Sequence, residues 1–315
     1  MPAVQTKIAK YATESINKEF GTNIQIDMVS LSLFNLNAGI KGIYIEDYKK
    51  DTLAHIDKLT TSVLNIRNMV NGKLEFGDIE IDGLFFNLKT YEGESDTNLD
   101  VFVAKLDDGK PRPPGTPPFF MSSEGIEINE GRFMLSDENL ESAEVLNFTD
   151  LKIVANDFQI LGPQVTLNIE DLSLDAKRGL RLKKLATDFT YTKQQMRFDS
   201  LLIDTEQSEL KGNLVFNYNR EDFAQFVDRV QIDANFTEST VALNEVNAFY
   251  DEFGQDRVVT LTGDFGGVLN KLEVDNLFLY TDNTGVRGDF ELDNMFTDQA
   301  PFVIRGDIDN LTSSY

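Results

Sequence analysis

His55, in the segment LAHIDKL, is the only histidine in a chain of 315 residues that contains no cysteine. An imidazole can act as a base, but without a thiol or a second histidine it supports neither a Cys–His pair nor the usual zinc site. No GxSxG elbow is present to raise a serine beside it. His55 therefore reads as an ordinary strand-end residue. The 53 acidic residues include many pairs of the type used in glycoside hydrolysis, and their abundance locates none of them. YEGESDTNLD, residues 91–100, places Glu92, Glu94, Asp96, Asn98 and Asp100 at alternate positions in the manner of a calcium loop. It lacks the sixth-position glycine and the spaced final glutamate of an EF-hand, so it reads as a solvated acidic loop. GDFGG, residues 263–267, has no Lys-Ser/Thr ending and opens no helix; it reads as a bend between strands, not a phosphate loop. The chemistry-bearing residues thus predict no enzyme, no catalytic site, no metal and no cofactor.

Composition narrows the partners. The formal charge of −24, with KRGLRLKK at 177–184 as one short basic cluster, makes nucleic acid a poor ligand. No run approaches the roughly 18 to 20 consecutive apolar residues that cross a bilayer as a helix. Met1-Pro2 leads straight into helical sequence with no signal peptide, and the chain reads as a piece of a longer protein.

The elements that would position any site are mostly strands. Residues 3–20 place Val4, Ile8, Tyr11, Ala12, Ile16 and Phe20 at steps of three and four before Gly21, which predicts an amphipathic helix, packed on a sheet end or, as the lesser alternative, lying on a membrane surface. From Ile24 onward the period changes to two, and segments such as IYIED, VTLNIEDLSL, VQIDANF and LEVDNLFLY all alternate. REDFAQFVDRV and LNEVNAFYDEF carry helical spacing. DDGKPRPPGTPPFF, residues 107–120, holds five of the eight prolines and predicts a loop on one continuous sheet. The expected organisation is a helix over 1–23, a first sheet portion over 24–106, the Pro-rich loop 107–120, and a continuing sheet over 121–315.

The alternation breaks in a recurring way. Leu74, Phe76, Ile79 and Ile81 skip across Gly77-Asp78; Leu167, Ile169, Leu172 and Leu174 skip across Glu170-Asp171. Met196 and Phe198 continue to Leu201 and Ile203 across Asp199-Ser200, and Leu272, Val274, Leu277 and Leu279 skip across Asp275-Asn276. At this apolar content the count of such patterns proves no repeat, but the skipped residues are types that tolerate unusual backbone angles. A bulge there absorbs one residue and keeps both halves of the strand facing the same side. Arms of three or four residues are short for a hairpin. The reading is one curled antiparallel sheet of about 16 to 22 bent strands, with a common apolar face that the few helices cannot cover. A second sheet, closure into a barrel, or a half-closed groove occupied by something else would each shelter it. With 24 Phe and no Trp, the lining suits featureless hydrocarbon.

PAVQTKIAKYATESINKEFGTNIQIDMVSLSLFN, GIYIEDYKKDTLAHIDKL and NLDVFVAKL resemble the N-terminal part of the TamB family, the translocation and assembly module subunit, within the larger AsmA-like group. STVALNEVNAFYDEFG and LTGDFGGVLNKLEVDNLFLYTDNTGVRGDFELDNMF are similar to later segments of that family. The resemblance implies an elongated, taco-like β-groove in the periplasm, held to the inner membrane by an upstream anchor and engaging an Omp85-type outer-membrane barrel through a C-terminal part. On that resemblance, the anchor and the far end are expected to lie outside the present segment. The implied role is to carry phospholipid acyl chains between membranes, to assist outer-membrane protein assembly, or both. Leu74, Phe76, Ile79, Ile81, Leu167, Ile169, Leu172, Leu174, Met196, Phe198, Leu272, Val274, Leu277 and Leu279 are the expected groove lining. The rival readings are an assembly scaffold that offers a sheet edge to an incoming strand, and an adhesin or carbohydrate-active β-protein with a closed sandwich and a polar cleft.

Overall fold

A computed structural model of the chain describes residues 10, 13–14, 17–18, 20–32, 37–64, 68, 73–106, 118–140, 144–176, 179–247, 257–282, 284–297 and 300–313. Among these residues the fold is all-β. Fifteen strands are hydrogen-bonded in the order of the sequence. They are β1 (Asn23–Leu31), β2 (Asn37–Glu46), β3 (Thr52–Val63), β4 (Lys73–Thr90), β5 (Phe120–Asp137), β6 (Glu144–Leu161), β7 (Gln164–Ala176) and β8 (Arg181–Tyr191), continuing with β9 (Gln195–Thr205), β10 (Glu209–Asn217), β11 (Gln231–Ala242), β12 (Val258–Val268), β13 (Lys271–Thr281), β14 (Thr284–Asp293) and β15 (Val303–Ser313). Three short α-helices accompany them: α1 (Asn98–Leu106), α2 (Phe226–Arg229), which follows a 3-10 turn at Arg220–Gln225, and α3 (Leu243–Val246). The strands are fewer than the alternation predicts because they are longer. LEFGDIEIDGLFFNLK, with two breaks in its beat, is a single strand, and β4, β5 and β6 each run 18 residues.

Of the predicted N-terminal helix, residues 10, 13, 14, 17, 18 and 20 are helical; Val4, Ile8, Tyr11, Ala12 and Ile16 lie outside the described residues. REDFAQFVDRV folds as the 3-10 turn and α2. LNEVNAFYDEF begins as α3, and Phe249, Tyr250 and Phe253 lie outside the described residues, as does most of the Pro-rich stretch, 107–117.

Two compact units divide the chain: residues 1–162 with 173–177, and residues 163–172 with 178–315. In the first, β1 to β4 are antiparallel, but β4 and β5 pair in parallel. This departs from the all-antiparallel expectation, and the reason lies in the connection. A parallel pair needs a crossover of a dozen or more residues, and residues 91–119 supply it with α1 inside it. The Pro-rich stretch therefore belongs to a crossover. NLDVFVAKL, assigned above to the sheet, is α1. Thr97 and Asp100 form its capping box: the Asp100 amide donates to Thr97 Oγ1 (3.1 Å) and the Thr97 amide to Asp100 Oδ2 (3.1 Å).

The so-called acidic loop is thus structural. Asn98 is fully buried, donating from Nδ2 to Asn87 O (2.9 Å) and accepting from the Lys89 amide (2.9 Å). Tyr91 donates to Asp47 Oδ2 (2.5 Å), and burial followed by that hydrogen bond pushes its phenol upward in pKa, so it stays protonated. Glu94 accepts from Tyr48 and pairs with Lys49 Nζ (2.8 Å).

The skipped pairs are interior to strands, and pairing locates the bulges. Val63 pairs Phe76 and Thr61 pairs Ile79, so β4 inserts one residue at Gly77-Asp78. Leu214 pairs Phe198 and Gly212 pairs Leu201, which places a bulge at Asp199-Ser200; Phe290 pairs Val274 and Gly288 pairs Leu277, which places one at Asp275-Asn276. Each partner strand is unbroken there, with residues two apart on one face. Both flanks of each bulge must therefore share that face. β7 likewise runs unbroken through Glu170-Asp171. Ser200, Glu238 and Asn276 adopt left-handed φ of 55°, 43° and 53°. The next strand supplies each of their amides with an acceptor: Asn213 Oδ1 (3.0 Å), Thr262 Oγ1 (3.1 Å) and Asp289 Oδ1 (2.8 Å).

Candidate apolar binding face

Register assembles the apolar positions into rows that cross the strands. In the first unit one row is Val29, Ile40, Leu59, Ile81, Ile128 and Ile153. Another is Ile24, Ile45, Ala54, Phe86, Phe133 and Phe148, with ring centroids 6.1 Å apart for Phe86–Phe133 and 6.0 Å for Phe133–Phe148. In the second unit a row runs through eight strands: Phe189, Phe198, Leu214, Ala234, Phe265, Val274, Phe290 and Gly306. Beside it lie Tyr191, Met196, Phe216, Ile232, Gly267, Leu272, Leu292 and Ile304. Across the bulges the same face continues with Leu261, Leu279, Val286 and Leu311. No Asp, Glu, Lys or Arg occupies any position in these rows. The opposite face carries residues such as Arg197, Lys211, Asp233, Glu273 and Glu291.

The residues named above as lining are distributed over both units. Leu74, Phe76, Ile79 and Ile81 lie along β4 in the first unit, with Ile79 buried and the others half-buried. Met196 and Leu272 share one row of the second unit and Phe198 and Val274 another, while Leu277 and Leu279 lie past the bulge of β13. Leu167, Ile169, Leu172 and Leu174 lie along β7, Ile169 buried and the rest half-buried. Leu174 belongs to the first unit and the other three to the second. In β13 the apolar four are buried or half-buried, whereas Lys271, Glu273, Asp275, Asn276, Phe278 and Tyr280 are exposed.

Composition and alternation missed the phenylalanines at 86, 133, 148, 265 and 290, which pairing places within the apolar rows of the two units. A usable signal was present. Gly212-Asn213, Gly263-Asp264, Gly288-Asp289 and Gly306-Asp307 recur at the centres of β10, β12, β14 and β15. At Gly212 a Cβ would sit 1.9 Å from Asn235 O and at Gly288 2.1 Å from Asp307 O, so a bare backbone is required there. GDFGG is accordingly inside β12 and not a bend between strands. His55 lies within β3, its ring 6.2 Å edge-on from that of Tyr44 and Nδ1 3.7 Å from Asp57 Oδ1. It is not a strand-end residue.

At one end of the second unit the 3-10 turn and α2 cover the apolar rows. Phe226 stands 5.7 Å from Phe216, and Phe223 4.5 Å from Tyr218. Burial raises the Tyr218 phenol to about 12, with Tyr191 adding to the shift, and its hydroxyl donates to Thr192 O (3.0 Å). No protein-family model matches the chain, and no curated protein is significantly similar to it.

Proposed function

We propose that the chain carries lipid, holding acyl chains along the apolar rows of a β-groove and leaving polar heads at the wetter rim. The observation that carries this reading is an uncharged, phenylalanine-rich face on a sheet with no second sheet among the described residues to cover it. Strands about 4.8 Å apart make an eight-strand row roughly 34 Å long and a six-strand row roughly 24 Å. One leaflet of a bilayer core is about 15 Å thick, so each row accommodates a phospholipid tail. Each buried CH₂ contributes about 0.8 kcal/mol, while sliding between equivalent apolar positions changes little buried area. Transfer on such a surface needs no covalent chemistry. The resemblance to the TamB family supports placing this activity in the periplasm, with inner-membrane anchoring and an Omp85-type barrel as partner.

Vesicle-to-vesicle transfer of a fluorescent phospholipid tests the proposal. Phe265→Asp with Phe290→Asp should lower transfer about tenfold or more, because burying lipid against two carboxylates is costly. Phe278→Asp, on the opposite face, should leave transfer intact, and circular dichroism should show all variants folded. Equal transfer by the folded double variant and the wild type would overturn the reading.

A second reading rests on β15, whose outer edge has no partner strand among the described residues and whose Ile304, Ile308 and Leu311 are more than half exposed. Such an edge suits strand addition by an assembling outer-membrane protein. Disulfide trapping between a cysteine in β15 and one in a substrate strand, with no lipid recovered from the purified protein, would favour it.

A further inference from the structure

We infer that the cavity at the β12–β13 turn is a headgroup site for lipids bearing phosphoethanolamine; this rests on the lipid-carrying reading above. The cavity, about 530 Å³, is lined by Asp228, Asn270, Lys271, Asp293, Asn294 and Thr297 among others. That volume lies within the range of small-molecule sites. Its charges are mixed. Lys271 is exposed and forms no ion pair among the described residues, although two carboxylates line the same cavity. Asp228 commits Oδ1 to Asn270 Nδ2 (2.7 Å) and has a second oxygen to offer. Asp293 already holds Arg305.

A zwitterion matches this pattern. Its phosphate pairs with Lys271 and accepts the second hydrogen of Asn270 Nδ2 and of Asn294 Nδ2, whose first hydrogens go to Asp228 Oδ1 (2.7 Å) and Pro301 O (3.2 Å), and its ammonium donates to Asp228. A quaternary ammonium has no N–H to donate and is ordinarily held by an aromatic cage, which these residues do not form. An anionic glycerol headgroup would face two carboxylates with no cation of its own.

The frame is fixed in advance. The Asn270 amide donates to Val227 O (3.0 Å), the Asn294 amide to Asn270 O (2.9 Å), and the Phe296 amide to Asn270 Oδ1 (2.8 Å). Position completes the case. Leu272 follows Lys271 and Leu292 precedes Asp293, and both leucines belong to the last apolar row. Lys271 and Asp293 point to the reverse side of the sheet from these leucines, whereas Asp228 belongs to α2 over the apolar rows, so a head bound at the turn passes its tails round the sheet end to that row.

Wild-type protein should be incubated with vesicles of equimolar phosphatidylethanolamine and phosphatidylglycerol, reisolated, and its lipid identified by mass spectrometry. An enrichment of about tenfold in phosphatidylethanolamine is expected, falling to none in Lys271→Glu and lowered in Asp228→Asn, which preserves an acceptor for Asn270. Thermal melts establish that both variants fold. A fluorescent fatty acid is titrated into the wild type in parallel. If it binds but neither lipid is preferred, the headgroup site is overturned and the lipid reading stands. If it does not bind and no lipid is recovered, the lipid reading falls and takes this site with it. Binding of soluble glycerophosphoethanolamine with no ethanolamine lipid recovered also overturns the assignment, because the cavity then serves a free headgroup.

Discussion

β13 and β15 present the same face of the second unit with the same broken alternation, yet their apolar side chains have opposite fates. In β13, Val274 is 1% exposed and Leu272 8%; in β15, Ile304, Ile308 and Leu311 are 58%, 56% and 66% exposed. β15 even repeats the bulge, since Gly288 pairs Ile308 while Arg287 pairs Asn310. The difference is neighbours. Among the described residues β13 has a hydrogen-bonded strand on each side, and β15 has one. Phe265 and Phe290, directly opposite Val274, supply lateral cover. Burial on this sheet is therefore built sideways, from side chains in the same layer. A face covered that way can be well packed at its base and open above, which is the condition a lipid-carrying surface requires.

Three substitutions test whether neighbours set the burial. Leu272→Ala should cost about 3 kcal/mol in chemical denaturation, within the ordinary range for a buried leucine. A loss under about 0.5 kcal/mol would mean that the lateral packing is loose. Gly288→Ala should cost about 2 kcal/mol, because its Cβ would meet Asp307 O on the neighbouring strand. Hydrogen exchange should show the loss first in β15, and uniform loss across the unit would contradict a local clash. Leu311→Ala should change stability by no more than about 0.5 kcal/mol. A cost approaching that of Leu272→Ala would mean that β15 is covered in solution.

The bulges were legible in part: three of the four skipped pairs, Gly77-Asp78, Asp199-Ser200 and Asp275-Asn276, are bulges that keep one face, and two of them hold a left-handed residue, Ser200 and Asn276, because the chemistry of a bulge is local. The parallel pairing of β4 with β5 was not legible. Apolar alternation sets which side of a strand is covered and carries no sign for strand direction. α1 was readable in principle from Thr97 and Asp100, but NLDVFVAKL also alternates in part, and the nearby acidic residues suggested solvent, not a helix cap. The phenylalanine rows escaped notice because a row is a property of register. Phe133 and Phe148 become neighbours only when the chain is paired.

Lipid carriage requires the apolar face to lie open to hydrocarbon. A photo-crosslinking amino acid at Phe290, irradiated with phospholipid vesicles and followed by intact-protein mass spectrometry, should yield a lipid adduct, while the same residue at Glu291 on the reverse face should not. Equal labelling at the two positions, or none at Phe290 in folded protein, would contradict the account.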